Sequence, residues 1–439
     1  MRADPVFNFE FQGGHVISRN SQGETVSTYG DLIWDFYPYR GPNRTRYNKI
    51  NFQLVRPDFV SELKYLMGII IYGKCSRNVD HLKAATIQGH FATLKKVAKF
   101  AGSKQLKVAD VFCDTQVLVE FLRTNLGAND INSLTSIYKS LSRIENLAFG
   151  FSEIEHKSRE VLTLAFKETK KNNQTPVIPE RLLSNLISEL GILFSNVSDY
   201  EDRLHAFIDK SLEDKCYAKH LTVQRRLGLC MSSFRPNFLQ ATREHGLEEF
   251  FENYNVKSLR QLSKLISSIQ HAVQIYICIY SGMRRSEIKA LKIDALVRRS
   301  GTRAVLIQGI CSKPKPFSTY WISSSEIIRP YEIATRLALR IGAEDEDVAE
   351  ENMLFPSSLH LGFTSSLPKT TNYRLTLDSV RCTHEIYGYL DQSRLTTNSQ
   401  DYKFLEKIDP FRDWSEDGRY QIDRPWRFAY HQFRRSLAY

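Results

Sequence analysis

Apolar residues recur at intervals of three and four through most of the chain, the spacing of a helix with one buried face. Ile87, Phe91, Leu94 and Ala98 mark such a face, with Thr86 placed to cap the helix that carries it. Leu118, Val119, Phe121 and Leu122 mark a second helix, and Leu134, Ile137, Leu141, Ile144 and Leu147 a third. After Pro179 the pattern resumes with Leu182, Leu183, Leu186, Ile187 and Leu190, and residues from about 200 to 260 read as mostly helical. The stretch from Ile269 to Tyr280 is apolar enough for a buried helix, and the shorter run from Leu66 to Tyr72 reads as a buried core segment. Two β-rich runs, Arg303 to Gly309 and Ser318 to Ile322, flank the basic loop Ser312-Lys313-Pro314-Lys315, which predicts a hairpin with Lys313 at or near its tip. The first 60 or so residues carry aromatics and turn formers, among them Phe7, Phe9, Phe11, Gly13, Gly14 and Trp34, and read as short strands and loops. The expected class is mainly α with a small β-sheet (α+β).

At 439 residues the chain is longer than one ordinary core, so two or three domains are expected. The polar, proline-containing stretch 167–180 reads as a linker. It separates a small helical domain at 77–166 from a second domain at 181–439, and residues 1–76 form an N-terminal extension. The acidic run Glu344-Asp345-Glu346-Asp347, with Glu350 and Glu351 after it, lacks the spacing of an EF-hand and reads as a solvated loop or helix start.

Charge narrows the class of partner. The net charge of +11 and pI of about 9.2 favour a polyanion, and nucleic acid is the commonest one. Lys95, Lys96 and Lys99 occupy the polar side of the helix that begins near Thr86, where they would contact phosphates without reading sequence. Arg40, Arg44, Arg46 and Lys49 alternate with Tyr39 and Tyr47 in what is either a DNA-contacting arm or a solvated loop. The seven cysteines are scattered with no CxxC pair, which points to neither a zinc site nor a redox pair and fits a reducing cytosol. No apolar run is long enough for a membrane span, and none follows the N-terminus as a signal peptide would require.

The richest stretch is Ser281-Gly282-Met283-Arg284-Arg285-Ser286-Glu287-Ile288-Lys289-Ala290-Leu291. Gly282 ends the buried helix with a residue that tolerates positive φ. Arg284 then sits at a tight turn, and Glu287 opens the next helix, where a carboxylate suits the N-terminal dipole. A rigid turn aims a guanidinium before substrate arrives. At the other end of the chain, His431 and Arg434 are three residues apart and share a helix face, with Arg435 to the side.

In order, the box Gly282–Ile288, the hairpin lysine and the His431–Arg434 box resemble the G-x-R-x-S-E-[LI], β-hairpin lysine and H-x-x-R signatures of the tyrosine recombinase (phage integrase) family. The resemblance covers residues 77 to 439. It implies a helical core-binding domain at 77–166 and an integrase-type catalytic domain at 181–439 that clamp double-stranded DNA, with self-assembly into a tetrameric synapse. Arg284 and Arg434 would then grip the scissile phosphate, each fork binding two oxygens. Lys313 would protonate the leaving 5′ oxygen, with Lys315 as its rival, and His431 would assist proton transfer. Glu287 would brace the arginine turn, and Lys95, Lys96, Lys99 and Arg435 would bind DNA. The resemblance implies neither metal nor other cofactor, and a cytoplasmic, nucleoid-associated location. Arg284 and Arg434 are 150 residues apart, long for the family, so an insertion is expected at about 340–420.

The family continues beyond H-x-x-R to a further His or Trp and a nucleophilic tyrosine. Tyr439 does not occupy that place, and Tyr430 is expected to pack. Residues 1–439 therefore read as an incomplete or inactive recombinase without its nucleophile. The alternatives are a non-catalytic DNA-binding remnant of an integrase, or an unrelated helical protein whose cationic residues would not converge.

Overall fold

The computed structural model describes residues 11–438 apart from 21, 40–48, 73–81, 125, 142–143, 145–147, 150, 152–174, 299–303, 312–316, 345–351, 364–385 and 415–419. The chain forms two units, residues 1–172 and 173–439, mainly helical with small antiparallel sheets. The break between them falls inside the polar stretch 167–180.

In the first unit, strands β1 (Val16–Arg19) and β2 (Thr25–Thr28) pair antiparallel, as do β3 (Ile33–Asp35) and β4 (Lys49–Asn51). Helices α1 (Pro57–Tyr72), α2 (Ala84–Lys104), α3 (Val108–Cys113), α4 (Thr115–Leu122) and α5 (Ala128–Leu141) follow. The expected boundary at residue 76 does not divide two cores. Trp34 meets Phe52 edge-on at 4.8 Å, and Phe52 meets Phe91 of α2 at 5.1 Å, so the small strands and the helices bury one continuous cluster. The cause is the length of α1: the apolar run at 66–72 is the second half of a 16-residue helix rather than an isolated core segment. Its buried Glu62 also accepts the backbone N–H of Val108 at 2.8 Å, tying α1 to the start of α3. Thr86 is not the cap that its position promised: α2 begins at Ala84, and the preceding residue, Lys83, supplies no side-chain cap. Arg40, Arg44, Arg46 and Tyr47 of the expected arm fall within 40–48, outside the described residues, while the Tyr39 hydroxyl accepts the Arg19 N–H at 3.0 Å and Lys49 pairs with Asp35 at 2.9 Å.

The second unit is built on two long helices, α6 (Glu180–Glu213) and a buried helix, α10 (Leu259–Ser281). Between them lie the short helices α7 (Leu221–Arg226), α8 (Phe238–Glu244) and α9 (Glu248–Asn253). After α10 come the single turn α11 (Arg285–Ile288) and the strands β5 (Leu296–Arg298), β6 (Ala304–Cys311) and β7 (Phe317–Ser324). The sheet order is β5-β6-β7, and β6 and β7 form an antiparallel hairpin from Ala304↔Ser324 to Cys311↔Phe317. Helices α12 (Ile328–Gly342), α13 (Ser399–Ile408) and α14 (Tyr430–Ala438) follow, with short 3-10 turns between elements.

Described parts of the expected insertion at 340–420 are not peripheral. Leu354, Phe355, Leu361, Leu395, Leu405 and Trp414 lie in the same core as α6 and α10. Arg181 of α6 binds Asp401 and the Thr396 carbonyl, and Glu189 accepts from Arg394 at 2.6 Å. A separate ionic seam, in which Glu201 meets Arg329 and Arg336 at 2.8 and 2.9 Å, joins α6 to α12.

Candidate functional site

Gly282 caps α10 with φ at +64°, donating its N–H to the Cys278 carbonyl at 3.0 Å. A left-handed residue here reverses the chain within one step, and Met283, fully buried, anchors the reversal. Arg284 follows as the N-cap residue of α11. The buried Glu287 holds it twice: one carboxylate oxygen accepts the Arg284 backbone N–H at 2.7 Å and the other accepts Nη1, also at 2.7 Å. That carboxylate raises the already high pKa of the guanidinium, so Arg284 is a permanent, aimed charge with about a third of its side chain exposed.

Strand β6 delivers its last residue to the same arginine. Cys311 Sγ lies 3.7 Å from Arg284 Nη1. The strand comes this close because residue 309 is glycine. A Cβ there would stand 3.2 Å from Trp321 Cζ3, 3.5 Å from Leu291 Cδ2 and 3.8 Å from Met283 Cε. Lys313 and Lys315 lie in the 312–316 connection, outside the described residues; the strand end that leads into it touches Arg284.

Helix α14 lies along the end of α10. Tyr430 donates its hydroxyl to Gln274 Oε1 at 3.2 Å, and the Arg285 guanidinium stands over the Tyr430 ring at 5.3 Å. The Cys278 thiol sits between the Met283 and Tyr430 carbonyls, at 3.5 and 3.6 Å. Burial pushes this thiol's pKa up to about 12, and the nearby charge of Arg434 opposes the rise. One turn further on, Leu437 Cδ2 would lie 3.0 Å from a Cβ on Gly282. Residues 430, 434 and 437 share a face, so Arg434 is carried on the side of α14 that meets the arginine turn. It is half-buried and forms no ion pair among the described residues. His431 is exposed.

Arg284, Glu287, Cys311 and Arg434 thus gather around one glycine turn although 150 residues separate the two arginines. Arg435 points elsewhere: its Nη1 donates to the Thr175 carbonyl at 2.5 Å, and the neighbouring Ser436 Oγ accepts the Ile178 N–H at 2.9 Å. Its contact in the structure is therefore with the segment leading into α6. Gly282→Ala should cost about 1–2 kcal/mol from the left-handed backbone alone, plus displacement of Leu437. A urea titration checks this, with the Arg284 contacts unchanged.

Behind the turn, α10 also buries large polar side chains. Gln270, His271 and Gln274 are all fully buried; neither polar atom of Gln270 and not the Gln274 amide nitrogen finds a hydrogen-bond partner among the described residues. Burial, with the charges of Lys289 and Arg285 nearby, drives the His271 pKa down to about 3. The imidazole is a neutral, buried member of the scaffold that backs the arginine turn.

The lysines expected to bind DNA are in the first unit. Lys95, Lys96 and Lys99 line a cleft of about 690 Å³ together with Arg56, Phe59 and Leu54. Lys96 is partly committed, pairing with Asp130 at 2.7 Å, and Lys95 stands over the Phe91 ring at 5.3 Å. Periodicity could not reveal Arg56, which comes from the segment before α1; its guanidinium reaches the Gly102 carbonyl of α2 at 3.4 Å. Cys311 was also missed, since one residue at a strand end leaves no pattern.

No helix among the described residues is long and apolar enough to cross a membrane. Comparisons with models of known protein families and with curated proteins give no match.

Proposed function

We propose that this chain binds double-stranded DNA as an incomplete or inactive copy of a tyrosine site-specific recombinase, with Arg284 and Arg434 as the phosphate-gripping residues of its second unit. The observation that carries the reading is the meeting of Arg284 and the Arg434 helix at the Gly282 turn. Two guanidinium-bearing elements, remote in sequence, flank one short reversal, and among the described residues Glu287 alone forms an ion pair with Arg284. Positive charge fixed beforehand is what a pentacoordinate phosphate needs, because no reorganisation is required as the anion develops. Where a tyrosine hydroxyl that residues 1–439 do not supply attacks phosphorus and displaces the 5′ oxygen, Lys313, carried on the loop that follows Cys311, would give that leaving oxygen its proton, and the exposed His431 would assist transfer. The cationic cleft on α2 would add phosphate contacts that give affinity without sequence preference.

Arg284→Ala is expected to weaken binding to unrelated duplexes by a similar factor, about tenfold, and to reduce the slope of log affinity against log salt by about one. Fluorescence anisotropy over a salt series measures both. A loss confined to one DNA sequence, or an unchanged salt slope, would contradict a phosphate contact.

A further inference from the structure

From the end of α6 through α8 the chain makes an excursion whose composition the recombinase reading does not use. Residues 215–243 contain Lys215, Lys219, Arg225, Arg226, Arg235 and Arg243 and no acidic residue. The excursion is ordered. Ala218 donates to the Pro236 carbonyl at 3.0 Å and closes its base. Gln224, fully buried, staples its middle: Nε2 donates to the Lys219 and Arg235 carbonyls, both at 2.9 Å, and Oε1 accepts the Arg235 N–H at 2.8 Å. A closed loop held by a satisfied internal side chain is a built surface rather than a floppy connection.

What it displays is apolar and cationic. Leu221 is 38% exposed, Leu227 51% and Met231 76%. Val223 is also exposed and lies one turn before Leu227 on the α7 face. Two of the six cations are neutralised, Arg235 by Asp214 at 2.7 Å and Arg243 by Glu248 at 3.0 Å. Lys219, Arg225 and Arg226 form no ion pair among the described residues; Arg225 stands over the Phe234 ring at 5.7 Å. An ordered loop that keeps large apolar side chains in water marks a place of contact. Phosphate backbone would use the arginines and leave the leucines and methionine idle. A segment with carboxylates beside apolar side chains would use both.

We propose that residues 218–236 are a docking site for an acidic, apolar segment of a partner protein. This does not rest on the recombinase reading. The test is fluorescence anisotropy of a labelled amphipathic peptide of glutamate and leucine, titrated with the full chain. Saturable binding is expected, weakened at least ~tenfold both by the double variant Arg225→Glu/Arg226→Glu and by Leu227→Ser/Met231→Ser, with thermal melts showing that the variants fold. Absence of binding, or a variant of either kind that binds as tightly as the native chain, overturns it. Duplex DNA and phosphatidylglycerol vesicles are titrated in parallel. If Leu227→Ser/Met231→Ser weakens either of these instead of the peptide, the loop is a nucleic-acid or membrane contact and the proposal fails. Loss of DNA binding by Arg284→Ala alone bears on the recombinase reading and leaves this one standing.

Discussion

Removing the His271 ring should make the second unit much less sensitive to acid. The imidazole is fully buried, with a pKa pushed from 6.5 down to about 3. Below pH 6.5 the unfolded chain takes up a proton that the folded chain refuses, so stability falls as the pH drops from about 6.5 towards 3. Arg285 and Lys289 reinforce the refusal, because a second positive charge beside them is disfavoured even before desolvation is counted. At pH 5 the loss from this one residue is about 2 kcal/mol, a large part of an ordinary domain's stability. Carboxylates elsewhere also respond to acid, so the informative quantity is the difference between the native chain and His271→Leu. Urea unfolding at pH 7 and pH 5 should show the stability of the native chain minus that of His271→Leu falling by about 2 kcal/mol as the pH falls. Identical pH dependence in both chains would mean that His271 is charged or solvated in the native state.

Glu287→Ala should damage stability and DNA binding together. The carboxylate is 2% exposed and satisfies both a backbone N–H and the Arg284 guanidinium. Its removal strands an N–H at the head of α11 and releases the arginine from its aim. The expected cost is about 2–3 kcal/mol, enough to lower the melting temperature by roughly 5–10 °C. Glu287→Gln separates the two functions. An amide oxygen can still accept the Arg284 N–H, so most of the stability should return, while the charge that fixes the guanidinium does not. The glutamine chain should therefore melt near the native temperature and still bind DNA less tightly. If alanine and glutamine lose DNA affinity without any loss in stability, Glu287 is not the brace that its hydrogen bonds indicate.

The arginine turn was legible because its signals are local. A glycine after an apolar helix, an arginine at the reversal and a glutamate three residues later each have a backbone reason to stand where they do. The β6–β7 hairpin was legible for the same kind of reason: two β-rich runs around a short basic loop. What sequence could not carry was non-local. Nothing in the order of residues shows that Cys311 ends beside Arg284, because the approach depends on a missing side chain at Gly309 and on strand register. The 76/77 boundary misled because a composition change from aromatic turns to regular helix was taken for a change of core, whereas Trp34, Phe52 and Phe91 pack through it. The polar trio on α10 was hidden by its neighbours. Gln270, His271 and Gln274 sit in a helix buried nearly all round, where position overrides their preference for water.

The bonds joining Arg435 and Ser436 to Thr175 and Ile178 make the first described residues of the second unit and its last described helix one mechanical piece. A displacement of residues 175–178 is felt by the same helix that bears His431 and Arg434, so the start of this unit has a direct route to the cationic residues at its end.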